Sequence, residues 1–320
     1  MTALADAPGA HQLDDALLRR WPLPQPAGDG DKEDRGHVLV LGGSREMPGP
    51  VILAATAALR AGAGKLTIAT GRSVAHLVAL AMPEARVLGL DENEAGGFEV
   101  QAVARLDPLA DRVHAVLIGP GMQDEAATAE LVHALLPRLA GTSTAIMLDA
   151  CAMGALRHPP PRWPGDQPYR FPLPVVLTPH AGEMAHLTGI AKDRVAAAPE
   201  HLARQMAQEW NAVVALKGAT TFIASPDGER WRHTGGNIGL AVSGSGDVLA
   251  GIIAGLAARG ADLAQAVCWG VALHARAGER LAARMGTLGY LARELPGELP
   301  ALLELVSGLR AGGATTIRCT

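Results

Sequence analysis

The stretch Ala241-Val242-Ser243-Gly244-Ser245-Gly246-Asp247-Val248-Leu249-Ala250-Gly251 organises the rest of the chain. It opens as a glycine-rich turn and runs straight into an apolar, small-residue segment, residues 248–258, that reads as a helix. Gly244 and Gly246 lack a Cβ, so the backbone amides around them can turn toward one point. That point lies at a helix N-terminus, where aligned peptide dipoles favour negative charge. An acid, Asp247, sits inside this anion site, where a carboxylate would repel bound phosphate. One explanation is chemical. Asp247 takes a proton from a hydroxyl while the amides of Gly244, Ser245 and Gly246 hold the phosphoryl charge that develops. The other is architectural: Asp247 caps the helix and the glycines merely turn the chain. The stretch alone leaves both open.

Upstream of it, short apolar strands alternate with helices. His37-Val38-Leu39-Val40-Leu41 reads as a buried strand ending in Gly42-Gly43-Ser44, followed by a helix over about 51–61. Strand 65–70, helix 73–81, strand 85–89 and helix 99–106 come next. Strand 115–118 ends in the turn Gly119-Pro120-Gly121, helix 125–140 follows, and strand 145–148 ends at Asp149. Strand 175–177 opens onto Thr178-Pro179-His180-Ala181-Gly182-Glu183. Helices over 183–188 and 199–209 precede strand 212–216, which ends at Lys217-Gly218. Residues 222–224 and 230–232 suit a hairpin about Asp227-Gly228, and three helices run from the opening stretch to about 309. This alternation predicts an α/β protein with a mostly parallel sheet covered on both faces. Ligands of such sheets bind at the carboxyl ends of the strands. The special turns all follow strands and should line one edge together, which favours the chemical reading of Asp247. Residues 1–35 read as a polar leader over the surface, 36–310 as the domain and 311–320 as a loose tail. Within the domain, 157–174 carries seven prolines and reads as a loop insertion.

Composition narrows the function. The chain has 320 residues, a net charge of −4 and a pI near 6.3, with no basic block, so nucleic acid is not an expected partner. Hydrophobic residues make up 48% and aromatics only 3%, which implies an Ala, Val, Leu and Ile core suited to close helix–sheet packing. Cys151, Cys268 and Cys319 are scattered and odd in number, which suggests a reducing compartment without structural disulfides. No apolar run reaches membrane-spanning length, and residues 1–15 hold three aspartates and no long apolar core. A cytoplasmic protein is expected, with no membrane partner.

Several familiar motifs fail on inspection. Gly62-Ala63-Gly64-Lys65 lacks the glycine and the hydroxyl residue of a phosphate loop, because Leu59 and Leu66 stand there. Gly119-Pro120-Gly121 starts like a dinucleotide fingerprint, but Asp124 replaces the third glycine. His180 and His186 would stand about 120° apart on a helix, which no helical zinc pattern uses. No serine-centred nucleophile elbow surrounds Ser245 or Ser44. The remaining histidines, His274 among them, read as surface or satisfied interior residues.

Several blocks taken together resemble one family. They are residues 35–44 (Arg35-Gly36-His37-Val38-Leu39-Val40-Leu41-Gly42-Gly43-Ser44), Met47-Pro48-Gly49, Arg60-Ala61-Gly62-Ala63-Gly64 and Gly119-Pro120-Gly121. Thr178 to Glu183, Lys217-Gly218-Ala219-Thr220-Thr221 and the run from Asn237 to Asp247 complete the set. In this order, over roughly residues 32–285, the chain resembles the ADP-dependent NAD(P)H-hydrate dehydratases, repair enzymes of the ribokinase-like superfamily. The resemblance implies a three-layer ribokinase-like α/β/α domain. It also implies a reaction: (6S)-NADHX or (6S)-NADPHX is dehydrated to NADH or NADPH while ADP becomes AMP and phosphate. Hydroxide leaves poorly, so the ring hydroxyl is phosphorylated first, with Asp247 as base, and phosphate then departs. By position, Pro50, Gly121 and His180 would line the hydrated dinucleotide with Asp247. Lys217, Gly218, Ala219, Thr220, Thr221 and Gly246 would hold the adenine nucleotide, and Glu183 would place Mg²⁺ through water.

Read from the residues, Gly121 also suits a plain turn, His180 an N-cap, Lys217 a strand-end surface lysine and Glu183 a first-turn acid. The chain departs from the family pattern at Pro50, where alanine is usual, at Cys151 in Asp149-Ala150-Cys151, where a second acid is common, and at Val242-Ser243. A leader of 35 residues is too short for the epimerase domain many members carry, so the dehydratase alone is expected. The family implies a homo-oligomer, tetramers among them. An ATP-dependent hydroxyl kinase of the same fold and a non-catalytic nucleotide-binding protein are the rival readings.

Overall fold

The computed structural model describes residues 9–26, 30–164 and 167–307. In chain order its first half holds β1 (His11–Gln12), α1 (Asp15–Arg20), β2 (His37–Leu41), α2 (Gly49–Arg60), β3 (Lys65–Gly71), α3 (Ala75–Ala81) and β4 (Arg86–Leu90). A 3₁₀ segment, Val100–Leu109, leads to β5 (Ala115–Ile118), α4 (Glu125–Leu139) and β6 (Ala145–Leu148), and a second, Ala150–Leu156, follows. Next come β7 (Val175–Leu177), α5 (Ala181–Thr188), α6 (Lys192–Ala197), α7 (Pro199–Trp210), β8 (Ala212–Leu216), β9 (Thr220–Ala224) and β10 (Arg230–Thr234). After a 3₁₀ turn, Ile238–Leu240, the chain ends in α8 (Ser245–Ala258), α9 (Leu263–Met285) and α10 (Leu295–Val306).

Among the described residues the strands form one sheet, ordered β1-β10-β9-β8-β7-β6-β5-β2-β3-β4. Every pairing is parallel except those of β9, which runs antiparallel to both β8 and β10. β2, β5, β7 and β8 are buried along their whole length, as strands covered on both faces must be. One core, centred on α2, α8, α9 and α10, fills one face, and a second, built from α4, α5, α7 and the two 3₁₀ segments, fills the other. The fold is the expected three-layer α/β/α sandwich.

The position of α8 depends on its small residues. It lies over β2, β5 and β6 and packs between α2 and α9. A Cβ on Gly251 would collide with the Ala54 carbonyl of α2, so the two backbones meet at a distance only glycine allows. Every residue of α8 is buried except Gly246 and Asp247, the two that face the carboxyl edge of the sheet.

The structure corrects several sequence expectations. Residues 9–26 are no surface leader. β1 extends the sheet by pairing with β10, and Leu13, Leu18 and Leu23 are buried in the core. Trp21 stacks on Trp231 with ring centroids 5.6 Å apart, and its carbonyl accepts from Trp269 Nε1. Those leucines cover an edge that the polar composition of the segment concealed. The helix expected over 99–106 is 3₁₀, because Val103, Leu106 and Leu109 recur every third residue, the period of that helix. α6 is an extra helix between the two expected before β8. The proline-rich insertion forms no strand or helix among its described residues, yet Tyr169 and Phe171 anchor it in the core. The expected tail, 311–320, lies outside the described residues.

Candidate active site

β8, β7, β6, β5 and β2 are consecutive neighbours in the sheet, so the turns that follow them share one edge. Gly43 N donates to Pro120 O at 2.7 Å, joining the turns after β2 and β5. Gly119 has no Cβ to strike the Asp149 carbonyl, which lets the turns after β5 and β6 close up. Thr178 Oγ1 donates to Asp149 Oδ1 at 2.5 Å, and Lys217 N donates to Pro179 O at 2.8 Å, which ties in the ends of β7 and β8.

The N-terminus of α8 meets this edge. Gly244 is the N-cap, in the left-handed conformation at φ 91°, and no side chain caps the helix. Asp247 is therefore a third-position residue, and the reading in which it caps the helix is set aside. Val248 N donates to Gly244 O at 3.1 Å, while the amides of Gly246 and Asp247, in the first turn, have no intrahelical carbonyl available. One expectation is corrected here. Ser245 N donates to Val242 O at 3.2 Å, closing the tight turn, so it points into the loop and is unavailable to an anion.

The acids and the base at this edge act on one another. Burial, and next the Asp149 carboxylate, push the Asp247 carboxyl from its ordinary 3.8 up to about 7. Glu183 adds to the rise, whereas Lys217 and the amide of Asp247 itself pull it back. Lys217 Nζ lies 3.9 Å from Asp149 Oδ1 and 3.8 Å from Glu183 Oε2. On its other side it approaches Gly246, where a Cβ would lie 3.4 Å from Nζ. One half-buried ammonium thus links the acid cluster to the mouth of the anion turn.

His180 and Glu183 form a capping box on α5. His180 Nδ1 accepts from the amides of Gly182 (3.0 Å) and Glu183 (3.1 Å), and His180 N donates to Glu183 Oε2 at 2.7 Å. The capping reading of His180 therefore holds. Accepting at Nδ1 puts the proton of the neutral ring on Nε2, which lies 3.7 Å from Glu183 Oε2 on a largely exposed side chain. Gly121, at φ 71°, abuts Pro50: a Cβ there would lie 3.2 Å from Pro50 Cβ and Cγ, so the two expected wall residues are adjacent. Gly218 and Ala219 are exposed between β8 and β9. Thr220 and Thr221 begin β9 and send their side chains to opposite faces; only Thr221 shares the Ile223 face, where α8 and α9 pack. Cys151 turns its thiol to Thr128 Oγ1 at 3.6 Å, and burial raises its pKa.

From sequence Asp149 is expected at the shared edge but without a role, and His274 is given no function. Asp149 is an acid at a strand's carboxyl end, 3% exposed and oriented by Thr178. His274 is the polar member of an apolar helical stripe, and its Nε2 lies 3.0 Å from Ser245 Oγ. Both signals are present in the sequence.

A glycine-bounded helix N-terminus and a half-buried acid at the carboxyl edge of a mostly parallel α/β/α sheet make up a ribokinase-like fold. A ribokinase-like superfamily protein of Enterococcus faecalis, 24% identical, superposes with a TM-score of 0.76 over 96% of this chain and 99% of that one. The chain belongs to the NAD(P)H-hydrate dehydratase family, whose profile matches residues 38–301. It is 51% identical to an ADP-dependent (S)-NAD(P)H-hydrate dehydratase of Xanthomonas campestris over 90% of this chain and 94% of that one. The ADP/ATP-dependent NAD(P)H-hydrate dehydratase of Bacillus subtilis, co-crystallised with ATP and Mg²⁺, is 30% identical and has a TM-score of 0.78 over 94% of this chain and 100% of that one. The chain spans about half the length of the bifunctional repair enzymes it also matches.

Proposed function

We propose that this protein dehydrates (6S)-NADHX and (6S)-NADPHX to NADH and NADPH, using ADP and releasing AMP and phosphate. The observation that carries the reading is Asp247, a carboxyl held near 7 at the anion turn of α8, in a chain of this family. Asp247 takes the proton of the ring hydroxyl, and the hydroxyl oxygen bonds to the β-phosphorus of ADP. The bond from that phosphorus to the bridging oxygen breaks, and AMP leaves. The ring carbon then loses phosphate and its neighbour loses a proton, which restores the double bond. The Gly244 and Gly246 amides would then receive the transferring group, and Lys217 would offset its charge.

Pro50, Gly121 and the Nε2–H of His180 form the side on which the hydrated ring rests. Lys217, Gly218, Ala219 and Thr221 flank the nucleotide phosphates, with Thr220 contributing backbone only. Among the described residues no group of three or more His, Cys, Asp or Glu is placed to hold a metal ion. The residues fit Mg²⁺ carried in on the nucleotide, with Glu183 reaching it through water; the ion would neutralise phosphate charge. No helix among the described residues is long and apolar enough to cross a membrane. Leu77 and Leu80, exposed on α3, are consistent with a homo-oligomer.

The test is recovery of NADH absorbance from hydrated NADH with Mg²⁺ and either ADP or ATP, with Asp247→Asn in parallel. ADP-dependent recovery lost in the variant supports both reaction and base. Recovery with neither nucleotide would sink the reading.

A further inference from the structure

α9 presents a buried stripe, Val267, Val271, Gly278 and Leu281, and His274 stands in register with it. The stripe brings His274 Nε2 to 3.0 Å from Ser245 Oγ, at the first residue of α8. Ser245 is 4% exposed, and its amide is spent on Val242 O. The only polar hydrogen Ser245 has left is that of its hydroxyl, two residues before Asp247 in the first turn of α8.

Two arrangements of this pair exist. If the hydroxyl donates to Nε2, Ser245 turns lone pairs toward the anion and repels it. If Nε2–H donates to Oγ, the hydroxyl hydrogen is released toward the anion and replaces the donor that the inward-turned amide cannot supply. Only the second suits a helix N-terminus that gathers negative charge. We propose that His274 donates its Nε2–H to Ser245 Oγ and thereby directs the Ser245 hydroxyl onto the phosphoryl group. This inference rests on the phosphoryl-transfer reading above. Ser245 acts through its side chain, and His274 is a positioning residue that never touches substrate. Burial, opposed by a hydrogen bond to the Ser245 backbone and assisted by the charge of Lys217, lowers the imidazole pKa to about 4. The ring is therefore neutral under working conditions and carries a single N–H, for which the Ser245 backbone and Oγ compete.

The experiment compares Ser245→Ala, Ser245→Thr, His274→Leu, His274→Gln and the Ser245→Ala/His274→Leu double variant in the NADH-recovery assay. In parallel, ¹⁵N NMR of the wild-type protein reads the tautomer of His274 and its response to inorganic phosphate. Expected are losses of about 100-fold in kcat for Ser245→Ala and His274→Leu, with KM for ADP little changed. Ser245→Thr restores the hydroxyl, His274→Gln restores a side-chain N–H donor, and the double variant is no worse than Ser245→Ala alone. The NMR result expected is an Nε2–H signal that shifts when phosphate is added. Losses that multiply in the double variant, failure of Gln to rescue, or an Nδ1–H tautomer would overturn the proposal. If His274→Leu does not fold, Ser245→Ala and the wild-type tautomer still decide it. A wild-type protein without turnover whose Nε2–H signal shifts with phosphate would retain this pair and lose the dehydratase reading. Full turnover in Ser245→Ala would do the reverse.

Discussion

Lys217 holds its ammonium 3.9 Å from the carboxylate of Asp149, bridging the ends of β8 and β6 across the end of β7. These two residues pull Asp247 in opposite directions, Lys217 lowering its pKa and Asp149 raising it. Lys217→Met should therefore move the acidic limb of the kcat/KM profile above its wild-type midpoint, and Asp149→Asn should move it below. Losing the ammonium should also raise KM for ADP about tenfold or more, the scale of a charge-assisted contact. Initial rates between pH 5 and 9, roughly the range over which a carboxyl near 7 titrates, read both effects. Shifts in the same direction for the two variants would contradict this electrostatic account.

The base role proposed for Asp247 requires the ionised carboxylate, so activity should rise with pH through about 7 and level off above it. Asp247→Asn should lower kcat by about a thousandfold. Stability should move the other way. A carboxyl whose ordinary pKa is 3.8 and whose folded value is about 7 holds its proton more tightly in the folded state. Native stability is then lost progressively as pH rises from the lower value to the upper one. The Asn variant should melt about 3 °C or more above wild type at alkaline pH and no higher than wild type in acid. Calorimetry at the two extremes checks this; a variant less stable than wild type above neutrality would refute it.

Gly121 and Pro50 form one wall. Gly121→Ala adds a methyl against Pro50 and the Met47 carbonyl, at a positive φ that disfavours any side chain. The expected outcome is a higher KM for hydrated NADH with KM for ADP unchanged, and a stability loss of about 1–3 kcal/mol. Pro50→Ala relaxes the same wall and should be close to neutral in stability. Equal effects on both Michaelis constants would place this wall away from the dinucleotide.

Leu18 of α1 is fully buried in the core that also holds α9. Leu18→Ala should cost about 2–5 kcal/mol, the range for a large-to-small change in a core. Urea denaturation measures it, and a change below about 0.5 kcal/mol, a surface-like value, would mean that the segment is dispensable.

Much of the site was legible because its signals are local. Gly244 and Gly246 ahead of an apolar helix announce an anion turn. Acids and glycines directly after apolar strands announce one shared edge, since parallel sheets place those ends together. His180 was legible as an N-cap, because a polar side chain directly after Pro179 and three residues before Glu183 is a local signal. Less legible were residues whose partners are remote. Asp149 reads as a strand end until Thr178 and Lys217 are beside it, and His274 reads as core until Ser245 lies across from it, 29 positions earlier in the chain. Leu13 reads as leader because its burial depends on β10, and Leu18 and Leu23 because theirs depends on the core cluster that holds α9 and α10, all more than 200 residues away.

The sequence by itself determined the layered α/β/α plan and the family, and it singled out Asp247 as the candidate acid. Strand burial, helix periodicity and glycine turns are set by short-range sterics and hydrophobic spacing, which a linear chain displays. Tertiary structure alone decided which amides remain open, since closing the Val242–Ser245 turn consumes one of the expected donors. It also decided the proton affinity of Asp247, because burial and the charges of Asp149, Lys217 and Glu183 act through space and follow the packed fold rather than the order of the chain.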